Sequence, residues 1–201
     1  PEFFFNKMNV VADFENKTGY YKSWEELSDM IKEPTAEGYT EMAVIKEFIH
    51  SLPNAVDLQI ANSWSSRMTQ MMNIPDGIRV NCNRGANGID GSLSTSVGYS
   101  VSNKNRLTYL CIGDLSFFYD MNALSIASLP SRLRVFMINN QGGSMLYKPF
   151  MKELMEQEPM NNLGRGRALT VKGWATDLGF NYIPVHNMNE LKEGLNVLND
   201  K

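Results

Sequence analysis

Two side chains with hard oxygen donors, Asp114 and Asn140, each stand just behind an apolar run, Leu107 to Ile112 for the first and Leu133 to Ile138 for the second. Twenty-five residues separate them, about what one crossover helix and one strand require, so the two post-strand loops are expected to be neighbours. A carboxylate from Asp114, an amide oxygen from Asn140 and a nearby backbone carbonyl would suit magnesium or calcium rather than zinc. So few protein ligands leave positions for phosphate oxygens. Ser116, read as the start of a helix with free N–H groups and a favourable dipole, adds an anion-binding element. The chemistry this points to is a metal-bridged diphosphate. Each loop taken alone also fits a simpler role, Asp114 as a helix cap and Asn139-Asn140-Gln141-Gly142 as a turn.

Two further segments carry candidate chemistry. Asn83-Arg84-Gly85-Ala86-Asn87-Gly88-Ile89-Asp90-Gly91 spaces three glycines by three, which lets backbone approach a ligand, and Arg84 offers a planar fork to a carboxylate. This is not the dinucleotide spacing G-x-G-x-x-G, and a structural turn before a helix is the simpler alternative. In Asn62-Ser63-Trp64-Ser65-Ser66-Arg67, Ser63 and Arg67 lie four apart, on one face of a helix, where a hydroxyl and a guanidinium can hold a carboxylate. Capping by Ser63 beside a solvated Arg67 is the alternative there. His50 and His186 have no ligand-spaced partners and are assigned no chemistry. Arg165 and Arg167, in Gly164-Arg165-Gly166-Arg167, form a basic turn that could cover an anionic substrate.

The elements that must position these residues follow from periodicity. Helical spacing of Met42, Ile45, Ile49 and Leu52 ends at Pro53-Asn54, ahead of a strand Val56 to Ile60. Strands are then expected at Arg79 to Cys82, Leu107 to Ile112, Leu133 to Ile138 and Phe180 to Val185. Helices are expected from about Ser92, over Ser116 to Leu129, near Phe150 to Gln157, near Val171 to Leu178 and from about Asn189. This alternation predicts an α/β fold, a parallel sheet flanked by helices on both faces, with ligands beyond the carboxyl ends of the strands. Residues 1–39 read as a linker from a preceding domain, with one helix opened by Ser23 in a capping-box pattern with Glu26, and residues 40–201 as the domain itself.

Composition narrows the class. With 43% hydrophobic and 20% charged residues the chain can build one covered core, and a net charge of −3 offers no basic field for nucleic acid. No apolar run reaches the roughly 18 residues of a membrane span. Cys82 and Cys111, each in an apolar segment, are expected to be buried thiols of a soluble, cytoplasmic protein rather than a disulfide. Met68, Met71 and Met72, at helical spacing, are expected to fill core gaps. The first residues lack a starting methionine, so the chain is expected to be part of a longer one.

Gly113-Asp114 followed at this interval by Asn139-Asn140 resembles the signature of thiamine-diphosphate-dependent enzymes, commonly written GDG with a later NN. The third glycine is Leu115 here, and Gly113-Asp114-Leu115-Ser116 followed by Tyr119-Asp120 and Asn122-Ala123-Leu124 resembles the MenD synthase branch of that family. The 83–91 loop and the Asn62-Ser63…Arg67 segment resemble that branch too, and the likeness covers most of residues 40 to 198. The resemblance implies a diphosphate-binding (PP) domain whose metal ligands are Asp114, Asn140 and the carbonyl of Gly142. It implies a cofactor cradle of Gly113, Asp114, Leu115, Ser116, Gly88, Ile89, Asn140, Gly142 and Gly143. Ile89 would be the apolar wedge that holds the cofactor bent, with Arg84, Ser63 and Arg67 facing the active site.

Thiamine diphosphate and Mg2+ are the implied cofactors. The implied reaction decarboxylates 2-oxoglutarate, a 2-oxo acid, and adds the succinyl unit to isochorismate on the way to menaquinone. A related carboligase of another pathway, or a non-catalytic magnesium-diphosphate module, is the alternative. Ser144, Met145, Leu146 and Tyr147 depart from the branch's usual Ile-Phe and Leu-Pro at positions that touch substrate. The activating glutamate would come from a separate PYR-type domain, typically of a partner subunit, so the full-length enzyme is expected to be a homodimer or homotetramer and this chain alone inactive.

Overall fold

The computed structural model describes residues 19–147 and 170–200. Contacts divide the chain into two compact units, Pro1–Pro34 and Thr35–Lys201. In the first, helix α1 spans Tyr20–Met30 and buries none of its residues. It starts one turn earlier than the capping pattern suggests: Gly19, at φ 63°, precedes it, and the Ser23 hydroxyl donates back to the Gly19 carbonyl instead of capping. The left-handed glycine lets the chain turn into the helix there.

The second unit opens with α2, Glu41–Ser51. Thr40 caps it by accepting from the Ala43 N–H at 3.3 Å, and Glu41 sits in the first turn, where the helix dipole favours a negative charge. Strands β1 (Asp57–Ile60), β2 (Arg79–Cys82), β3 (Thr108–Gly113) and β4 (Leu133–Ile138) form one parallel sheet in the order β2-β1-β3-β4. Between them run α3 (Trp64–Thr69), α4 (Ser92–Ser102) and α5 (Asp114–Tyr119); α6 (Lys172–Asp177) and α7 (Met188–Asn199) follow. Parallel order needs such crossovers, and they place helices on both faces.

The two faces are separate cores, and β3 shows how they arise. Its successive side chains alternate, Tyr109 and Cys111 into one cluster, Leu110 and Ile112 into the other. The first cluster takes Ile45, Phe48 and Ile49 from α2 with Leu191 and Leu195 from α7; Phe48 stacks on Phe136 of β4 with ring centroids 4.1 Å apart. The second takes Leu93 and Val97 from α4, Phe117 from α5 and Val171. Of the methionines at helical spacing, Met68 and Met72 are buried in the first core, whereas Met71 is exposed.

Three expectations need correction. The single helix over Ser116 to Leu129 is instead α5 followed by a 3-10 turn, Met121–Ser125. The break falls at Asp120, which leaves helical geometry and whose carboxylate accepts the Ser94 N–H at 2.6 Å, closing the first turn of α4. Phe180 to Val185 is no sheet strand: it lies outside the four-stranded sheet, and it lines a cavity of about 840 Å³ together with β4. The third concerns the thiols. Cys111 is buried but Cys82, on edge strand β2, is exposed. They flank β1 on opposite sides, about two strand spacings apart and beyond the roughly 7 Å reach of a disulfide.

A reactivity difference follows. Burial pushes the Cys111 thiol up to about 12, and burial also raises Cys82, though the neighbouring Arg84 works against this. The thiolate is the reactive form. A disulfide reagent at mildly alkaline pH is therefore expected to titrate Cys82 in the native protein and Cys111 only after denaturant is added; two fast native equivalents would contradict the packing of β3. The helix expected near Phe150 to Gln157, and Arg165 and Arg167, lie outside the described residues.

Candidate functional site

All four strands end at one edge, and the register pairs Gly113 with Ile138 and Ile60 with Cys111. The segments that follow them converge there. Asp114 leaves β3 directly into α5 and is 4% exposed. Its carboxylate accepts the Leu115 N–H at 2.8 Å, and the backbone of Gln141 and Gly142, in the loop after β4, lies close enough to favour its charged form. That loop turns through a left-handed Gln141 at φ 65° and Gly142 at φ 141°, and the Gln141 N–H donates to Asn139 Oδ1 at 3.3 Å. Burial pushes the Asp114 carboxyl up, and these backbone donors only partly oppose it. A buried carboxylate held by neutral donors is short of positive charge, which a divalent cation would supply.

Asn140 stands beside it. Its amide nitrogen donates to the Glu41 carboxylate of α2 at 2.5 Å and to the Ser144 hydroxyl at 3.1 Å. With the nitrogen engaged on both, the amide oxygen is the atom left for a cation. Among the described residues no group of three His, Cys, Asp or Glu is placed to hold a metal. Oxygen donors from Asp114, Asn140 and backbone are therefore what this edge offers, a set that suits magnesium with phosphate completing it.

A cavity of about 80 Å³ collects the candidates. Ser63, Ile89, Gly113, Asp114, Leu115, Ser116, Asn140, Gly142 and Gly143 all line it, with Glu41 and the apolar Ile45 and Ile138. The loop before α4 is tied in from its far side: the Ser116 hydroxyl donates to the Ile89 carbonyl, and Asn62 Nδ2 donates to the Gly88 carbonyl at 3.0 Å. Gly88 thus anchors the loop without lining the cavity. Ser63 does not cap α3. It sits at φ 73°, ψ −132°, a conformation that costs a non-glycine residue on the order of 1–3 kcal/mol, and it lines the cavity.

The two arginines stay outside. Arg67 is exposed at the end of α3, and Arg84 donates weakly to Asn87 Oδ1 at 3.5 Å. Neither lines the cavity. Glu41 is the residue that sequence reasoning missed. As an acid one place after a helix cap it reads as a partner of the dipole, and only the tertiary packing of α2 against the β4 loop, 99 positions away, brings it to Asn140.

No family model matches the chain. Among curated proteins it is 36% identical over 196 residues to the 2-succinyl-5-enolpyruvyl-6-hydroxy-3-cyclohexene-1-carboxylate synthase of Phocaeicola vulgatus, covering 97% of this chain and 34% of that protein. The same-named synthase of Bacteroides thetaiotaomicron is 40% identical over 177 residues, covering 88% and 31%. The chain thus spans about a third of the length of the curated relatives it matches. Among solved structures, benzoylformate decarboxylase from Polynucleobacter necessarius superposes with a TM-score of 0.62 at 16% identity, over 84% of this chain and 33% of that one, which bears on the fold alone.

Proposed function

We propose that this chain, a homologue of one third of the 2-succinyl-5-enolpyruvyl-6-hydroxy-3-cyclohexene-1-carboxylate synthases, is the diphosphate- and metal-binding domain of such a synthase. Residues 40–201 form that domain and 1–39 lead into it. The observation that carries the reading is the meeting of the two post-strand loops at Asp114, a buried carboxylate with the backbone of Gln141 and Gly142 beside it and Asn140 lining the same cavity.

In this reading Asp114, the amide oxygen of Asn140 and the carbonyl of Gly142 hold Mg2+. Gly113, Leu115, Ser116 and Gly143, which line the same cavity, would hold the diphosphate. Thiamine diphosphate, when bound, supplies the electron sink that makes decarboxylation of a 2-oxo acid possible. The chain's own part is placement. Ile89 reaches the cavity from the glycine-rich loop and sets the shape of the bound group, held there by the bonds of Ser116 and Asn62 to that loop. Ser63, stiffened in its unusual conformation, offers a hydroxyl at the cavity wall, while Arg84 and Arg67 attract multiply anionic substrates toward its mouth. The activating carboxylate belongs to a separate domain, so catalysis needs the full-length protein, as a soluble homodimer or homotetramer.

The test is an assay of the full-length protein with 2-oxoglutarate, isochorismate, thiamine diphosphate and Mg2+. Formation of the succinylated cyclohexene carboxylate is expected. Turnover of 2-oxoglutarate without carboligation to isochorismate would move the protein to another acceptor, and failure to bind thiamine diphosphate with Mg2+ would overturn the reading.

A further inference from the structure

We infer that Glu41 is a positioning residue for the metal site: it fixes which end of the Asn140 amide faces the cation. The inference rests on the assignment of Asn140 as a metal ligand. An asparagine side chain has two ends of nearly equal shape, and only its oxygen can coordinate a hard cation. The orientation must therefore be set by neighbours. Ser144 cannot set it, because a hydroxyl donates as readily as it accepts. A carboxylate accepts hydrogen bonds, so Glu41 meets the nitrogen end, and its 2.5 Å contact turns the oxygen away from itself.

The geometry around Glu41 supports such a role. Thr40 caps α2 and fixes its first residue, α2 is clamped to β4 through Phe48 and Phe136, and the carboxylate reaches the same cavity that Asp114 and Asn140 line. Outer partners of this kind typically change metal affinity by about 10–100-fold. Glu41 also contributes negative charge nearby, and the two roles separate by experiment. A glutamine at this position can still accept the Asn140 N–H through its amide oxygen but brings no charge.

The test is Mn2+ titration of the full-length protein with thiamine diphosphate present, reading the free ion by electron paramagnetic resonance. Glu41→Ala is expected to weaken Mn2+ binding about tenfold, Glu41→Gln less than about threefold, and Glu41→Ala added to Asn140→Ala is expected to cause no further loss. An unchanged affinity in Glu41→Ala would overturn the inference. So would an equal loss in Glu41→Gln, which would assign the effect to charge, or an undiminished loss in the Asn140→Ala background, which would assign it to a route other than the amide. Asp114→Ala run alongside separates the two levels. If it abolishes Mn2+ binding while Glu41→Ala does nothing, this inference alone fails; if Asp114→Ala also does nothing, the metal-site reading fails with it.

Discussion

Asp114→Ala in the full-length protein is expected to weaken Mg2+-dependent binding of thiamine diphosphate by at least about a hundredfold, roughly 2.7 kcal/mol at 1.36 kcal/mol per tenfold, and to abolish turnover. The physical reason is that Asp114 is a buried carboxylate at the meeting point of the two loops, with the Leu115 N–H already donating to it. What distinguishes this from loss of a structural residue is the effect on the fold. Burial raises the Asp114 pKa above its unfolded value near 4, so the folded protein prefers the neutral acid. The stability tied to this preference is fully present below the unfolded pKa and is lost as pH rises through the folded one. At neutral pH without metal, the ionised Asp114 is therefore a liability, and Asp114→Asn is expected to be at least as stable as the parent. Thermal unfolding of the metal-free proteins between pH 4 and pH 7 checks this, with the difference moving in favour of the variant as pH rises. A large loss of apo stability in Asp114→Asn, or unimpaired Mg2+-dependent binding in Asp114→Ala, would remove Asp114 from the metal site.

The post-strand loops were legible in the sequence because the signals that mark them are local. An apolar run ending in Gly113-Asp114 and another ending in Asn139-Asn140 are read directly, and parallel pairing of β3 with β4 then forces the loops together. The parts that were not legible all depend on distant packing. Asp120 has the composition of a residue within a continuing helix, yet its carboxylate is drawn to Ser94 and the helix stops. Cys82 lies in a strand that periodicity finds correctly, but only the sheet order shows that β2 is an edge and its thiol exposed. Phe180 to Val185 has strand-like composition, and hydrogen bonding to β4, which composition does not encode, is what it lacks. The absence of Arg67 and Arg84 from the cavity lining is of the same kind: helical spacing predicts that Ser63 and Arg67 share a face, and only the packing of the loops shows that Ser63 lines the cavity while Arg67 does not.

The same distant packing makes a second buried aspartate the better target for stability. Asp57, fully buried at the amino end of β1, accepts Arg79 Nε at 2.6 Å and Nη2 at 2.9 Å, pairs with Arg106 Nε at 2.9 Å and accepts from the Asn103 amide. Asp57→Ala leaves these partners behind. Arg79 is about half exposed and can turn to water, so its loss matters little. Arg106 cannot follow, since its Nη2 is committed to the carbonyls of Val56 and Gly77 and its side chain is only 23% exposed. An unpaired guanidinium held in the fold is expected to cost about 3 kcal/mol, a large share of the roughly 5–15 kcal/mol that stabilises a domain. Urea unfolding monitored by circular dichroism should show the midpoint fall without a change in slope, and a loss below about 1 kcal/mol would mean that Arg106 relaxes into solvent. Because Asp57 and the cavity lie at opposite ends of β1, the fraction that remains folded is expected to bind Mg2+ and thiamine diphosphate as tightly as the parent does. The two buried aspartates thus divide along the direction of the sheet: Asp57 is neutralised by arginines and secures the fold, whereas Asp114 takes a backbone N–H and, in the proposed reading, spends its charge on a cation.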